Sequence, residues 1–419
     1  MARLPLIKPD AVDLVHKDPV DDRTLEQAAE IVAKVRNGGD AALRALGERF
    51  GDIVPTAPMV LDRTALKAAV DRLSSERVAL LERTADRIRR FAEAQFASVQ
   101  PIEVDIEGGR AGHTIAPVTR AGCYAPGGRF PLPSSVLMTA VTAKTAGVAE
   151  VWVASPCPVD ETKAAAYIAG ADALLCIGGA QAIAALVYGT AAIPPCDIIV
   201  GPGNRFVTAA KSLVAGRVAI DMLAGPSELV VLADDSADPA TVAADLLAQA
   251  EHDPDARPIL IATDRLLIDA VNNEIEAQLQ RLGTRATAEL AVANGFAVFA
   301  EDETAAAQIC DAIAPEHLEV MTRAPEETAK LLHHYGALFI GGRSAEVLGD
   351  YGAGPNHVLP TGGTARYTGG LSVFSFLRIR TWMRMDQGSP DLLADAAELA
   401  EIEGLEGHKN AATIRMKKS

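Results

Sequence analysis

The spacing of hydrophobic positions changes character along this chain of 419 residues. Thr24-Leu25-Glu26-Gln27 has the form of a capping box, an apolar stripe at helical spacing follows it, and Gly38-Gly39 supplies a stop, so the pattern predicts a helix over about 24–38. A second helical stretch is predicted from about residue 64 to 95. Ile102-Glu103-Val104-Asp105-Ile106 then alternates strictly and Glu107-Gly108-Gly109 offers a turn, so residues 102–130 read as a hairpin. From residue 151 onward, short β-rich runs at 151–154, 173–177, 197–200, 218–220 and 229–232 are separated by Ala-rich helical windows. A second series follows at 259–262, 296–299, 318–321 and 337–340. Such alternation implies parallel sheets with crossover helices, and two α/β units are the economical reading. No short-period repeat is present, which excludes a solenoid. After Gly349 the text becomes rich in Gly, Pro and Thr, and an acidic helix over about 390–403 closes the pattern.

Composition adds bounds to that picture. With 49% hydrophobic and 22% charged residues, the length suffices for two or three domains and a sizeable core. Acidic residues number 55 against 39 basic ones, a net charge of -16, and no basic cluster is longer than Lys417-Lys418. Neither a nucleic acid nor an anionic membrane is therefore the expected partner. No apolar run approaches the ~20 residues that cross a bilayer, and the start, Met1-Ala2-Arg3-Leu4-Pro5, lacks the apolar stretch of a secretion signal; a cytoplasmic protein is expected. The five cysteines, at 123, 157, 176, 196 and 310, are scattered without a C-x-x-C pair, so no disulfide is assigned. Cys176, in an apolar run, reads as a buried small hydrophobe.

Several places concentrate chemistry. Gly178-Gly179-Ala180-Gln181 and Gly201-Pro202-Gly203-Asn204 each follow a strand and open a helix, where free N–H groups and the positive helix end suit a diphosphate. Phe206 stands where the dinucleotide fingerprint needs its third glycine, so structural turns explain these glycines equally well. Gln249 and His252 lie three apart at a predicted helix end, either a shared metal face or a plain surface end. Glu316-His317 opens a β-like run with adjacent ionisable groups, a pairing that also arises by chance. Residues 346–357 gather Glu346, Asp350 and His357 in a glycine-rich loop of the kind that carries function. His408 has no partner in its own neighbourhood; His16, His113, His333 and His334 carry no supporting pattern and read as structural or exposed.

Taken together, the ordered motifs Tyr124-Ala125-Pro126-Gly127-Gly128-Arg129, residues 133–138, 178–186, 201–204, 221–228, 249–252 and 316–318, residues 349–360 and Gly407-His408-Lys409-Asn410 resemble the histidinol dehydrogenase family over nearly the whole chain. The resemblance implies an α/β fold of two incomplete Rossmann-like domains, a short N-terminal segment and a small C-terminal domain exchanged between the subunits of a homodimer. The corresponding spans are 1–21 for the segment, 22–123 with 228–370 for the domain carrying acid/base and metal residues, 124–227 for the NAD-binding domain and 371–419 for the exchanged one. By similarity the zinc ligands are Gln249, His252, Asp350 and His408, one ion per subunit. Ser227, Glu346, His357 and Glu403 shape the substrate pocket together with those ligands and His317. Tyr124, Gln181 and Asn204 correspond to residues that contact NAD. Glu316 and His317 correspond to the acid/base pair.

The implied reaction takes L-histidinol to L-histidine in two hydride transfers through histidinaldehyde. A neutral His317 accepts the hydroxyl proton in the first, and Glu316 deprotonates the water that the aldehyde must add before the second. Ala92, where the biosynthetic members usually place His, and residues 371–386 depart from the usual pattern. They leave open a related NAD-dependent zinc dehydrogenase of another small polyol or a sulfonated diol. A zinc hydrolase using the same ligands, or a non-catalytic zinc-stapled protein, are the readings from other classes.

Overall fold

A computed structural model describes residues 2–12, 19–127 and 131–416; His16, Gly128, Arg129 and the Lys417-Lys418 pair lie outside the described residues. The β-rich runs form two six-stranded sheets, with the run at 229–232 belonging to the sheet of the second series. In one, Arg120–Tyr124 is central, with parallel neighbours Glu150–Ala154 and Ile198–Val200. Ala173–Leu175 and Ala219–Ile220 extend it on either side, and Val60–Asp62 pairs antiparallel at an edge. In the other, Glu228–Ala233 is central between Arg257–Ala262 and His317–Met321. Phe296–Phe299 and Ala337–Ile340 lie outside these, and Leu6–Ile7 adds a parallel edge strand. Apart from the early edge strands Val60–Asp62 and Leu6–Ile7, in both sheets the chain starts at the centre, adds strands on one side, then returns to fill the other, the doubly wound order expected of an incomplete Rossmann-like domain.

The strands show why the sheets are buried on both faces. All six residues of Glu228–Ala233 are buried. Leu229 and Val231 pack with Val242, Leu246 and Leu247 on one side, while Val230 and Leu232 pack with Cys310, Leu318 and Val320 on the other. A near-continuous apolar run is what a central parallel strand requires. Polar residues inside such runs therefore stand out, and Glu228 and Glu319, both buried, are two of them.

Local chemistry departs from the sequence reading in three places. Asp21, not Thr24, caps the first helix, Asp22–Phe50, by accepting from the Thr24 N–H at 2.9 Å. The stop read at Gly38-Gly39 is there: Gly39, with φ +54, leaves helical geometry at a kink, and a second helical stretch follows directly to Phe50. The stretch 64–95 is broken into Arg63–Val70 and Ser75–Ala97. Arg120–Tyr124, read within the hairpin segment, is the central strand of a sheet. Residues 22–123, expected to accompany 228–370, contribute Val60–Asp62 and Arg120–Tyr124 to the sheet formed by residues 124–227, and Asp22–Phe50 packs on that sheet's helices Gly179–Tyr188 and Arg205–Val214.

The chain divides into two compact units, and both six-stranded sheets belong to the one built from residues up to 93 and 118–376. The other combines residues 94–117 with those from 377 onward. In it the predicted hairpin, Ile102–Ile106 with Gly109–Pro117, gains a third antiparallel strand, Leu377–Met385. Helices Pro390–Ile402 and Glu406–Met416 pack on each other. The five cysteines are free, and Cys176 is buried, its thiol pushed up to about 11 by desolvation. No described helix is long and apolar enough to cross a membrane.

Candidate active site

Two residues at the head of a strand set the site. Ala314, in the left-handed region at φ +52, turns the chain after the helix Glu303–Ile313, and Glu316-His317 then enters the sheet. Both side chains are buried. The Glu316 N–H donates to Glu228 Oε1 at 3.2 Å, and the Ser227 side chain hydrogen-bonds the Glu316 carboxyl. Burial first, then the neighbouring Glu228, pushes that carboxyl well above the usual carboxylate range. Glu228 itself is raised to about 7 by burial, partly offset by the N–H groups of Gly362 and Glu316. Burial lowers the His317 imidazole to about 4, so it is neutral near pH 7. Its Nδ1 lies 3.8 Å from Glu316 Oε2 and 3.5 Å from Glu346 Oε1, and neither ring nitrogen has a hydrogen-bond partner.

Around this pair the structure gathers most of the expected residues. His317, Glu346 and Asp350 bring one imidazole nitrogen and two carboxylate oxygens within 4.8 Å of one another. Asp350 Oδ2 is 3.9 Å from His252 Nε2, and His357 Nδ1 is 2.9 Å from the Asp350 carbonyl oxygen. The helix Pro239–Ala250 ends before His252, which is exposed, whereas Gln249 is fully buried with both amide atoms unpartnered. Unpartnered buried polar atoms on Gln249, His317 and Glu346, next to the Asp350 carboxylate, suit a cation. His408, on Glu406–Met416, and Glu403, which follows Pro390–Ile402, belong to the other unit, where both are exposed.

A cleft of about 2220 Å³ runs within the unit of the two sheets, lined among others by Glu316, His317, His252 and Asp350 and by Tyr124, Gln181 and Asn204. The last three stand at the carboxyl ends of strands, where doubly wound sheets bind ligands. The glycine turns there are not the free anion cradles that their sequence suggests. The Gly178 N–H donates to Asp52 Oδ2 at 3.0 Å and the Gly179 N–H to the Tyr124 hydroxyl at 3.0 Å. The Gly201 N–H donates to Asp221 Oδ2 at 2.7 Å, and Asn204 Oδ1 caps its own helix by accepting from Phe206 and Val207. The donors expected for a diphosphate thus already serve carboxylates and a phenol. Asp52 also takes the Gln181 Nε2–H at 3.0 Å, which fixes that amide at the cleft wall.

Asp52, Asp221 and Glu228 are parts of the site that motif reading missed. Glu228 carried a signal, a carboxylate heading an apolar strand; Asp52 carried none, because its partners are more than a hundred residues away in sequence. Asp221 forms a buried ion pair with Lys211, whose ammonium also donates to the Gly201 carbonyl oxygen at 3.0 Å. Lys211→Met should leave Asp221 buried without its cation and destabilise the protein by about 3–5 kcal/mol, read as a loss of urea midpoint.

Fold and site together define an α/β architecture of two doubly wound sheets whose cleft presents a neutral buried imidazole beside a raised carboxyl, groups suited to proton transfer. The comparisons specify it further. The family model for histidinol dehydrogenase matches residues 16–416, and the chain belongs to that family of oxidoreductases. It is 45% identical to the histidinol dehydrogenase of Nitratidesulfovibrio vulgaris over 95% of this chain and 93% of the relative. It is 43% identical to that of Methylococcus capsulatus over 96% and 94%. The crystal structure of histidinol dehydrogenase from Elizabethkingia anophelis superposes with a TM-score of 0.92 at 29% identity, covering 100% of this chain and 99% of that one.

Proposed function

We propose that this chain oxidises L-histidinol to L-histidine in two NAD-linked hydride transfers through histidinaldehyde. The observation that carries the reading is the neutral, unpartnered His317 beside the raised Glu316 in a cleft shared with Tyr124, Gln181 and Asn204. His317 accepts the hydroxyl proton of the alcohol; an imidazole already protonated could not. Glu316, in its ionised form, takes a proton from the water that adds to the aldehyde, burial raising its affinity for that proton, and the Ser227 contact orients that carboxyl. Tyr124, Gln181 and Asn204 hold the dinucleotide, which accepts the hydride when bound. Ser227, Glu346, His357 and Glu403 position the polar ends of the substrate.

Gln249, His252, Asp350 and His408 would hold a zinc ion, whose chemistry there is to bind the substrate's nitrogen donors and supply positive charge. His408 and Glu403 come, in this reading, from a second copy of the chain through an exchanged C-terminal domain; their exposure within their own unit supports it. Free thiols on all five cysteines accord with a cytoplasmic enzyme. The named relatives are all histidinol dehydrogenases, so the polyol, sulfonated-diol and hydrolase readings gain no support. Of the departures that prompted them, Ala92 is buried on Ser75–Ala97, and residues 377–385 form a strand of the other unit.

The test is the yield of NADH per histidinol consumed. Two is expected; one would point to a simple alcohol dehydrogenase, and none would remove the reading for this substrate. Domain exchange has its own test. Co-expressed His408→Ala and His252→Ala chains, each inactive alone, should pair so that mixed dimers hold one intact site, returning about a quarter of wild-type activity. Verified mixed dimers without activity would place the whole site within one chain.

A further inference from the structure

Behind His317 lies a second pair of carboxyl groups that neither the acid/base roles nor the ligand set uses. Glu319 sits two residues along the same strand, hence on the same face as His317, and is 1% exposed. Asp245 lies on Pro239–Ala250, one helical turn before Gln249. The two carboxyl groups lie within reach of each other, and the buried Glu319 Oε2 and Asp245 Oδ2 meet no N–H or hydroxyl donor. Glu319 Oε1 is occupied as well: it accepts from the N–H of Glu346 at 2.7 Å, the first residue of the short helix that ends at Asp350. Neither Glu319 nor Asp245 lines the cleft.

We propose that Asp245 and Glu319 are positioning residues: a carboxyl–carboxylate pair sharing one proton, which ties the helix of Gln249 to the strand of His317 and holds the helix of Glu346 and Asp350 against both. Two carboxyl groups can hydrogen-bond to each other only if one of them is protonated, and away from water a doubly ionised pair would be strongly repulsive. Burial raises both carboxyls, and the charge of Asp245 raises Glu319 further, so the pair holds one proton between them. The titratable group beside the pair is Glu346, whose carboxyl is raised by both Glu319 and Asp245, and Asp350, Glu316 and His317 lie beside Glu346 in turn. All of them belong to the reacting end of the site, and none to the dinucleotide end.

The arrangement explains why a charged residue interrupts the apolar strand His317–Met321. A leucine at 319 would pack, yet it would leave the Glu346 N–H without its acceptor and Asp245 without its partner. The elements carrying Gln249, His317 and Glu346 would then be joined by apolar contact alone, and a shift of about 1 Å in a reacting group costs on the order of 10²-fold in rate.

Glutamine preserves both contacts without a proton, since its Oε1 can accept from Glu346 and its Nε2–H can donate to Asp245. In the intact zinc-loaded enzyme, Glu319→Leu should therefore lower kcat for histidinol by about 10–100-fold. KM for NAD should stay near the wild-type value, because Tyr124 ends a strand of the other sheet and Gln181 and Asn204 stand at the starts of helices that follow its strands. Glu319→Gln should restore kcat to within about threefold of wild type. If Glu319→Leu does not fold, Asp245→Ala breaks the pair from its less buried side and carries the same expectation. An unchanged kcat in the pair-breaking variant, a Glu319→Gln enzyme as slow as it, or a loss confined to KM for NAD would overturn the proposal. The inference rests on the dehydrogenase reading of this site: a wild-type chain without NAD-linked histidinol oxidation sinks that reading, whereas an active wild type with an indifferent pair sinks only this one.

Discussion

Replacing His317 by alanine is expected to slow the first oxidation of histidinol by about 10²–10⁴-fold, the usual loss on removing a general base. The argument rests on protonation state. Burial lowers the imidazole to about 4 against an ordinary value of 6.5, so it is ready to accept a proton throughout the neutral range. The same burial has a stability sign. Between about pH 6.5 and 4 the unfolded chain binds a proton at this position and the folded one does not, so the contribution of His317 to stability falls as pH drops through that window. His317→Ala should lose that component, which is read by comparing wild-type and variant melting temperatures at pH 7 and pH 5.

Glu316→Gln separates the two half-reactions. It keeps the side-chain shape and should mostly spare the first hydride transfer, while removing the group that takes a proton from water. Supplied with histidinol, the variant should shift its product from histidine toward histidinaldehyde, measurable by trapping the aldehyde. Equal losses in both half-reactions would mean that Glu316 only orients His317, at the 3.8 Å separation observed.

Chelation is expected to abolish histidinol oxidation and added zinc to restore it. The physical ground is the cluster of unpartnered buried atoms on Gln249, His317 and Glu346 beside Asp350, an arrangement costly to maintain without a cation. His252→Ala and His408→Ala should each lower bound zinc, measured directly as metal per chain, although the two residues are 156 positions apart. Full zinc content in either variant would remove that residue from the ligand set, and full activity in metal-free enzyme would remove the metal from the reaction.

Local pattern sufficed for the α/β class, since short, near-continuous apolar runs separated by helical windows have few other solutions. It located nine of the twelve strands of the two sheets and missed Leu6–Ile7, Val60–Asp62 and Arg120–Tyr124. It also named Glu316 and His317, because an ionisable pair at the head of an apolar strand is visible locally, and ordered motifs carried the family. What it could not decide were relations between distant segments. Arg120–Tyr124 reads like a hairpin arm, and only pairing with residues 150–154 and 198–200 makes it a sheet centre. The glycine turns read as open anion sites, and only the folded chain brings Asp52, Tyr124 and Asp221 onto their N–H groups. Glu319 was visible as a charge in a buried strand, yet its partner Asp245 lies on another element, and proton sharing arises from burial and contact that no local pattern encodes. Tertiary structure decides such features because desolvation and hydrogen bonding depend on what surrounds a group in space, whereas periodicity records only which side of its own element it occupies.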